Sequence, residues 1–474
     1  LTPNSLDNIP PPKRLSPMNT KILLVAVNSS WYQSNPTLYY LREAIRDLGC
    51  QPQLRSYTTQ DLMMDVLNSI YGHRPDLICF SAYIWNRNYL RMLLPDLKTL
   101  LPKAGIVIGG PEASRLANLA DLVIEGPGEA AFRKLASSGF KLKDFQPGPE
   151  TIALRDLPFP YRPEDQADLA GKLLYYETSR GCPFACAYCL SALDPRNERR
   201  FKSDDPDDLM RLSDELDALD ALKPRTVKFV DRSFNLHPAF ARALWQILIS
   251  QPRSCEWHFE IYPELLTEDD IRLLESVPPG LVRFEVGVQS CNDAINLACG
   301  RHSDWPKAKK MLMALMNRTE VVTHADLLCG LPEQTLEDVL KSIDELAICH
   351  PAEIQLGMLK VLPDTPMCDL ASERGWLWST HPPYTIFQTD RMSFEELRHC
   401  EILARLLNLY WNKGEFTAQW RDLLKSYPAS LVLSRLRDIH TLEGYPFHSV
   451  SKGKREEVFG QLRINGTQKK GKRG

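Results

Sequence analysis

Three cysteines at C-x3-C-x2-C spacing, Cys182, Cys186 and Cys189, stand directly after the short run Leu174-Tyr175-Tyr176-Glu177. The run reads as a strand, so the three thiols fall on one tight loop at its carboxyl end. Three thiolates held that way can occupy three corners of an iron–sulfur cube. The fourth iron is then left without a protein ligand and open to something else. Most cluster proteins use four cysteines. A zinc site would need a fourth Cys or His at knuckle spacing, and none follows Cys189 until His237 and Cys255. The plain alternative is three ordinary buried cysteines, which are common in cores. Gly181, Pro183 and Tyr188, however, sit where a cluster loop would use them.

Residues 177–189 resemble the signature of the radical S-adenosylmethionine enzymes through Glu177, Gly181, Cys182, Pro183, Cys186, Tyr188 and Cys189. The resemblance implies a [4Fe-4S] cluster on Cys182, Cys186 and Cys189. Its open iron would chelate the amino and carboxylate groups of S-adenosylmethionine, and one electron would release a 5′-deoxyadenosyl radical. It also implies an electron donor of the flavodoxin or ferredoxin type.

Length and charge narrow the setting. A chain of 474 residues suggests roughly three domains, and its 43% hydrophobic residues can bury a sizeable core. No apolar run approaches the roughly 18 residues of a membrane span, and no secretory pattern is visible, so no membrane association is expected. A net charge of −3 gives no global basic footprint; nucleic acid is possible as a partner but not indicated. Twelve cysteines without a disulfide-scaffold spacing suit a reducing cytoplasm.

Residues 1–20 are polar, carry Pro10-Pro11-Pro12 and read as a disordered segment. The chain opens on Leu, and Met18 closely precedes the first strand, which makes Met18 a candidate start. Residues 22–27 are a continuous apolar run, as in a buried parallel strand. Leu38, Leu41, Ile45 and Leu48 repeat at helical spacing until Gly49. Further helices are marked by Leu62 to Ile70 and by Leu90 to Leu101, and further strands fall at 77–82, 106–108 and 122–124. Counted as five short strands alternating with helices, this predicts a doubly wound, Rossmann-like α/β domain over residues 21–140. Ligands of such sheets sit outside the carboxyl ends of the strands, here the loops 28–36, 81–88, 109–112 and 126–129. The glycines in them let backbone approach a flat ligand, although tight strand–helix turns would require glycine in any case.

Placed upstream of the cysteine triplet, this domain resembles the cobalamin-binding domain of cobalamin-dependent radical S-adenosylmethionine enzymes, over about residues 20–138. Gly126-Pro127-Gly128-Glu129 stands where such proteins often have Gly-Glu-Gly-Glu. The resemblance implies bound cobalamin lined by Asn28, Ser81, Gly109, Gly110, Gly126 and Gly128. No Asp-x-His-x-x-Gly is present, so the cobalt would lack a protein His ligand; His73 does not fit that motif.

Residues 141–172 are Pro-rich and read as a linker. From 173 to 392 strands are expected at 174–178, 226–230, 256–261, 282–288, 321–328 and 353–361. Helices are expected near 207–221, 238–249, 267–276, 305–318 and 335–347. Six such units fit a partial (β/α)6 barrel with its chemistry at the strand ends. Those ends carry polar residues, in Asp231-Arg232-Ser233, Glu260-Ile261-Tyr262-Pro263, Gly287-Val288-Gln289-Ser290, Arg301-His302 and Asp326 through Gly330-Leu331-Pro332-Glu333-Gln334-Thr335. The series resembles the radical S-adenosylmethionine barrel of the cobalamin-dependent branch. It implies S-adenosylmethionine contacts from Tyr188, Asp231, Glu260, Gln289, Arg301 and Asp326, with Arg301 pairing a carboxylate. Alternatively, Asp326 could cap the following helix and Glu285 could form a structural ion pair.

Residues 393–464 resemble an uncharacterised helical extension, with helical pattern over 394–424 and 431–443. Residues 465–474 form a basic tail. The leading expectation is methylation of an unactivated centre of an unknown substrate. The alternatives are a non-methylating radical rearrangement or oxidation, and a non-catalytic cluster- and cobalamin-binding sensor.

Overall fold

The computed structural model describes residues 20–462 apart from 144 and 149. The disorder expected for the first residues and the basic tail lie outside the described residues. The chain divides into two compact units, Leu1–Arg162 and Pro163–Gly474.

The first unit alternates β1 (Ile22–Asn28), α1 (Pro36–Ala44), β2 (Gln53–Thr58), α2 (Met63–His73), β3 (Leu77–Ser81), α3 (Arg87–Leu100), β4 (Gly105–Gly109), β5 (Leu122–Ile124) and α4 (Gly128–Ser137). All pairings are parallel and the strand order is β2-β1-β3-β4-β5. Every residue of β1 and of β3 is buried, because helices cover both faces of a doubly wound sheet. Leu90, Leu93, Leu94 and Leu97 put one face of α3 into the core beside Leu23, Val25, Ile78 and Phe80.

The fifth strand, which the sequence did not locate, is β2. It is an edge strand whose Leu54 is its one aliphatic residue and none of whose residues is buried, so no apolar run announces it. The first helix also stops earlier than Leu48. Residues Arg46–Leu48 form a tighter 3-10 turn, and Gly49 at φ 75° ends it. Downstream, Leu154 and Leu157 pack on Tyr40, while Arg162 Nε reaches Glu43 Oε1 at 2.6 Å.

The second unit begins with the short helix α5 (Gln166–Leu169), then β6 (Leu173–Tyr176) and the small antiparallel pair β7 (Ser179–Arg180) and β8 (Glu198–Arg199). It continues with α6 (Pro206–Ala221), β9 (Thr226–Phe229), α7 (Pro238–Ile249), β10 (Glu256–Ile261), α8 (Glu268–Leu274), β11 (Val282–Gln289), α9 (Asp293–Ala298), α10 (Trp305–Arg318), β12 (Val322–Cys329), α11 (Leu336–Ala347) and β13 (Glu353–Met358). Six parallel strands run in the order β13-β12-β11-β10-β9-β6. β6 and β13 are the two edges, which makes the sheet an open, partial barrel. One face holds Trp257, Phe259, Phe284, Val286, Ala325, Leu327, Ile354 and Leu356, all buried. Its opposite face carries Lys228, His258, Glu260, Arg283, Glu285, His324, Asp326 and Glu353, none fully buried. The strict alternation in Glu256–Ile261 and Val282–Gln289 produces this division.

After β13 come α12 (Pro366–Glu373), the hairpin strands β14 (Leu377–Trp378) and β15 (Ile386–Gln388), and α13 (Phe394–Tyr410), α14 (Thr417–Leu423), α15 (Ala429–Leu442) and α16 (Lys452–Gly460). The continuous helix expected over 394–424 is broken after Tyr410. Asn412 exchanges hydrogen bonds with the backbone of Ile354 at 2.9 and 3.1 Å, and Gly414 turns the chain at φ 69°. Among the described residues no helix is long and apolar enough to cross a membrane.

Candidate functional site

The cysteine loop leaves the carboxyl end of β6 and is fastened at each step. Asp231, just past β9, accepts from Thr178 N at 2.9 Å, Thr178 Oγ1 at 2.6 Å and Ser179 Oγ at 2.7 Å. Burial lifts its carboxyl to about 6, against the pull of those three donors. Glu177 pairs with Arg180 at 2.5 Å. Gly181 has φ 84°, and a Cβ there would stand 2.0 Å from the Arg196 carbonyl oxygen, so only glycine fits this turn. Cys182 N donates to Asp194 O at 3.0 Å, Cys189 N to Cys186 O at 2.9 Å, and Ala187 N to Cys299 O at 2.9 Å; Met367 N from α12 donates to Ala187 O at 3.0 Å. The loop is thus tied both to the segment before β8 and to two distant elements.

All three cysteines are free thiols, Cys182 and Cys186 buried and Cys189 half-buried. Ser191 N donates to Cys189 Sγ at 3.4 Å, the type of contact that favours a ligating thiolate. Burial raises the Cys186 thiol, while Arg301 and a hydrogen bond from Tyr188 act the other way. Arg232 lies in the field of Cys189, Cys182 and Glu260, whose negative forms hold it above its ordinary value despite burial. No three described His, Cys, Asp or Glu side chains gather closely enough to share one metal ion. A cube of irons asks for something else, since each thiolate takes a different iron. Three thiols with two guanidinium groups beside them fit such an anionic cluster.

Arg301 sits at the rim next to this loop. Its guanidinium lies 4.0 Å from the centre of the Tyr262 ring, and Tyr262 stacks at 4.6 Å on Phe184 of the cysteine loop. Nη2 of Arg301 donates to Gly287 O at 2.5 Å, but its Nε is buried with no hydrogen-bond partner. An unpaired buried cationic N–H is costly and leaves this donor available to an anionic group. Gln289 occupies φ 66° at the bulge between β11 and β12, and its side chain folds back over Gly287, where a Cβ would meet Gln289 Nε2 at 2.7 Å. Tyr188 is pushed well above its ordinary value by burial.

The charged face of the sheet forms a network. Lys228 contacts Glu285 at 2.6 Å and Glu260 at 3.3 Å, and Arg232 lies 3.6 Å from Glu260. His258 Nε2 is 3.1 Å from Glu285, and His324 Nε2 is 3.1 Å from Asp326. Burial opposes charge on Glu285, yet His258 and Lys228 drive its carboxyl far below the usual range. Asp326 therefore faces the lumen within β12 rather than capping a helix; α11 is capped by Thr335 and Asp338. Glu285 makes the ion pair considered as its alternative.

Sequence reasoning overlooked Lys228, His258 and His324, although Lys228 and His258 each alternate with apolar residues that the structure buries.

In the first unit, Asn28, Ser81, Gly109, Gly110, Gly126 and Gly128 all lie along the carboxyl edge of the sheet. Asn28 Nδ2 donates to Gln33 O at 3.0 Å, and Ser81 Oγ receives Asn35 Nδ2 at 3.1 Å. Gly110 has φ 96°, and a Cβ would approach Ala82 O to 2.6 Å. Unforeseen at the same edge are two exposed indoles. Trp31 is 73% and Trp85 45% accessible. Trp85 is held flat, stacked on Tyr83 at 4.3 Å with Nε1 donating to Val27 O at 3.2 Å. Exposed aromatic faces at the β1/β3 switch point suit a flat macrocycle.

Residues 22–136 match the B12 binding domain, residues 176–346 the Radical SAM superfamily, and residues 372–433 a family described as a protein of unknown function (DUF4080). The chain is 23% identical over 341 residues to the cobalamin-dependent radical SAM methyltransferase TokK of Streptomyces tokunonensis, covering 62% of this chain and 48% of that protein. It is 30% identical over 179 residues to the hopanoid C-3 methylase of Methylococcus capsulatus, covering 32% and 35%. The chain thus spans half or less of these curated relatives. In fold it resembles the cobalamin-dependent radical enzyme OxsB, with TM-score 0.66, 13% identity and coverage of 94% and 70%. It likewise resembles TsrM from Kitasatospora setae, a radical S-adenosylmethionine methyltransferase, with TM-score 0.62, 16% identity and coverage of 80% and 82%. The chain thus carries a region that matches the B12 binding domain, followed by a parallel-sheet region that matches the Radical SAM superfamily and bears the cysteine triplet at a strand end.

Proposed function

We propose that this protein is a cobalamin-dependent radical S-adenosylmethionine methyltransferase acting on an unactivated centre. When bound, the cluster, S-adenosylmethionine and cobalamin together supply a 5′-deoxyadenosyl radical and a transferable methyl group. Cys182, Cys186 and Cys189 would hold three irons. Arg301, with its unpartnered buried Nε, would take the carboxylate of S-adenosylmethionine. Glu260, Gln289 and Asp326 would line the same lumen, while Asp231 holds the start of the cysteine loop and Tyr188 would lie against bound S-adenosylmethionine. Asn28, Ser81 and the glycines of the first unit would border cobalamin, with Trp85 offering a ring face.

The observation that carries the reading is Arg301. A buried guanidinium with a free N–H stands beside three free thiols on a loop pinned from four sides. A sensor would have no need of an anion-ready cation at that spot. The electron donor is expected to be a small acidic flavin or iron–sulfur protein, and the working compartment the cytoplasm.

The test is anaerobic turnover by reconstituted protein loaded with hydroxocobalamin, with mass spectrometry of 5′-deoxyadenosine and S-adenosylhomocysteine. Both products are expected together once a substrate is present. Formation of 5′-deoxyadenosine alone across substrates would favour radical rearrangement, and neither product despite an intact cluster would favour the sensor.

A further inference from the structure

A cavity of about 480 Å3 opens at the edge of the second unit, between the carboxyl end of β13, strand β15 and the first turns of α13. That volume lies within the roughly 300–1,000 Å3 typical of small-molecule sites. It belongs to the end of the sheet that bears the cysteine loop, since the six strands are parallel. Leu359 N donates to Cys329 O at 2.9 Å and Ile386 N to Leu359 O at 3.0 Å, which seats one wall on the ends of β12 and β13. Gly330, immediately after β12, leaves room for that wall; a Cβ there would meet Ile386 Cγ2 at 3.0 Å. Met358 continues the apolar face of Ile354 and Leu356, so the cavity lies beside the charged lumen and not within it.

Its walls are Met358, Ile386, Phe387, Phe394 and Leu397. Phe387 and Phe394 meet edge to face at 6.3 Å, yet remain 42% and 52% exposed. Two large aromatic rings left open around a hollow form an apolar receptacle. The charge at its rim is unbalanced. Glu401 is engaged by Arg398 and by Arg405, the latter at 2.6 Å. Lys360, which also lines the cavity, has no ion-pair partner among the described residues. One carboxylate therefore serves two guanidinium groups, and an ammonium group stands over.

We propose that this cavity is a recognition subsite for a substrate with an aromatic or branched apolar body and one anionic group, the body lodged against Phe387, Phe394 and Leu397 and the anion at Lys360. That the occupant is the substrate rests on the methyltransferase reading; the binding chemistry does not.

The probe is 8-anilinonaphthalene-1-sulfonate, an aromatic anion, titrated by fluorescence into the full-length protein. Displacement is then followed with 1-naphthaleneacetate and with 1-naphthylmethylammonium, equal in ring and opposite in charge. Saturable binding is expected, with the carboxylate displacing the probe at about tenfold lower concentration than the ammonium ion. Lys360→Glu should weaken the probe about tenfold and Lys360→Arg only about twofold, because the former reverses the charge and the latter keeps it. Lys360 is exposed, so neither change threatens folding, and matching thermal melts will verify that. Phe394→Ala should weaken both naphthalenes alike. Cys182→Ala, which removes a cluster ligand, should leave binding unchanged and so separates this site from the reading of the reaction. Absence of saturable binding, equal displacement by both ions, or unchanged affinity in both Lys360→Glu and Phe394→Ala overturns the proposal.

Discussion

The two parallel sheets of this protein use opposite strategies for the faces of their strands. In the first unit β1 and β3 are buried on every residue, and each face is an apolar core. In the second unit β10 and β11 alternate buried apolar residues with partly buried ones that are polar apart from Gly287, and β12 keeps the same alternation of burial. A doubly wound sheet spends both faces on its helices and keeps only the carboxyl edge for ligands. An open barrel with helices on one side keeps an entire concave face. The difference explains where the polar residues went. The first unit offers loops, glycines and two indoles at an edge, whereas the second offers a lumen lined by Lys228, Glu260, Glu285, His258, His324 and Asp326.

Charge placement breaks the comparison most sharply. Val25→Asp puts a carboxylate at a wholly buried position of β1 and should destabilise the first unit by more than about 4 kcal/mol. Glu285→Gln, on a strand of the other sheet, should cost only about 1–2 kcal/mol, because Glu260 still faces Lys228. Thermal unfolding followed by circular dichroism compares the two directly; equal losses would erase the distinction drawn between the sheets.

At the cysteine loop the constraint is backbone rather than charge. Gly181→Ala drives a methyl group into the Arg196 carbonyl and forces a left-handed φ on alanine, at about 2 kcal/mol or more of local strain. Cluster incorporation, read as bound iron per chain, should fall by at least about half. Full incorporation would mean the loop is softer than its hydrogen bonds imply.

Arg301→Ala should retain the cluster's absorbance while weakening S-adenosylmethionine at least about tenfold by calorimetry. Arg301→Lys should recover only part of this, since an ammonium group cannot repeat a two-pronged contact.

The smallest effect is a titration. Burial opposes a charged His324, but Asp326 outweighs it and raises the imidazole above its ordinary value. Stability from this pair is therefore complete below the unfolded-state value of roughly 6.5 and fades as pH rises through the higher folded value. NMR should find the His324 midpoint above that reference and lower it in Asp326→Asn. A midpoint unmoved by the substitution would deny the pairing.

Much of this arrangement was legible in the residues. The buried strands Ile22–Asn28 and Leu77–Ser81 announce themselves as unbroken apolar runs, and the barrel strands by period-two alternation. The cysteine triplet located its own loop. What escaped had no local signal. Strand β2 is a polar edge, held by its neighbour rather than by its composition. The break after Tyr410 depends on Asn412 finding Ile354, a contact across 58 residues of chain. The role of Asp231 as an anchor for Thr178 likewise comes from 53 residues away. The lumen histidines needed the register that sets Glu285 beside His324. Sequence shows which residues share a face of one strand; only pairing shows which faces meet.

The most direct measurement is the fate of S-adenosylmethionine in anaerobically reconstituted protein with a strong reductant, in the native chain and in the Cys182→Ala, Cys186→Ala, Cys189→Ala triple variant. The native chain should show absorbance near about 400 nm, as thiolate-bound clusters do, and produce 5′-deoxyadenosine. The triple variant should fold with an unchanged melting temperature and lack both signals. Retention of the cluster in the triple variant, or an intact cluster in the native chain that never yields 5′-deoxyadenosine, would contradict the assignment of this loop as the site of radical chemistry.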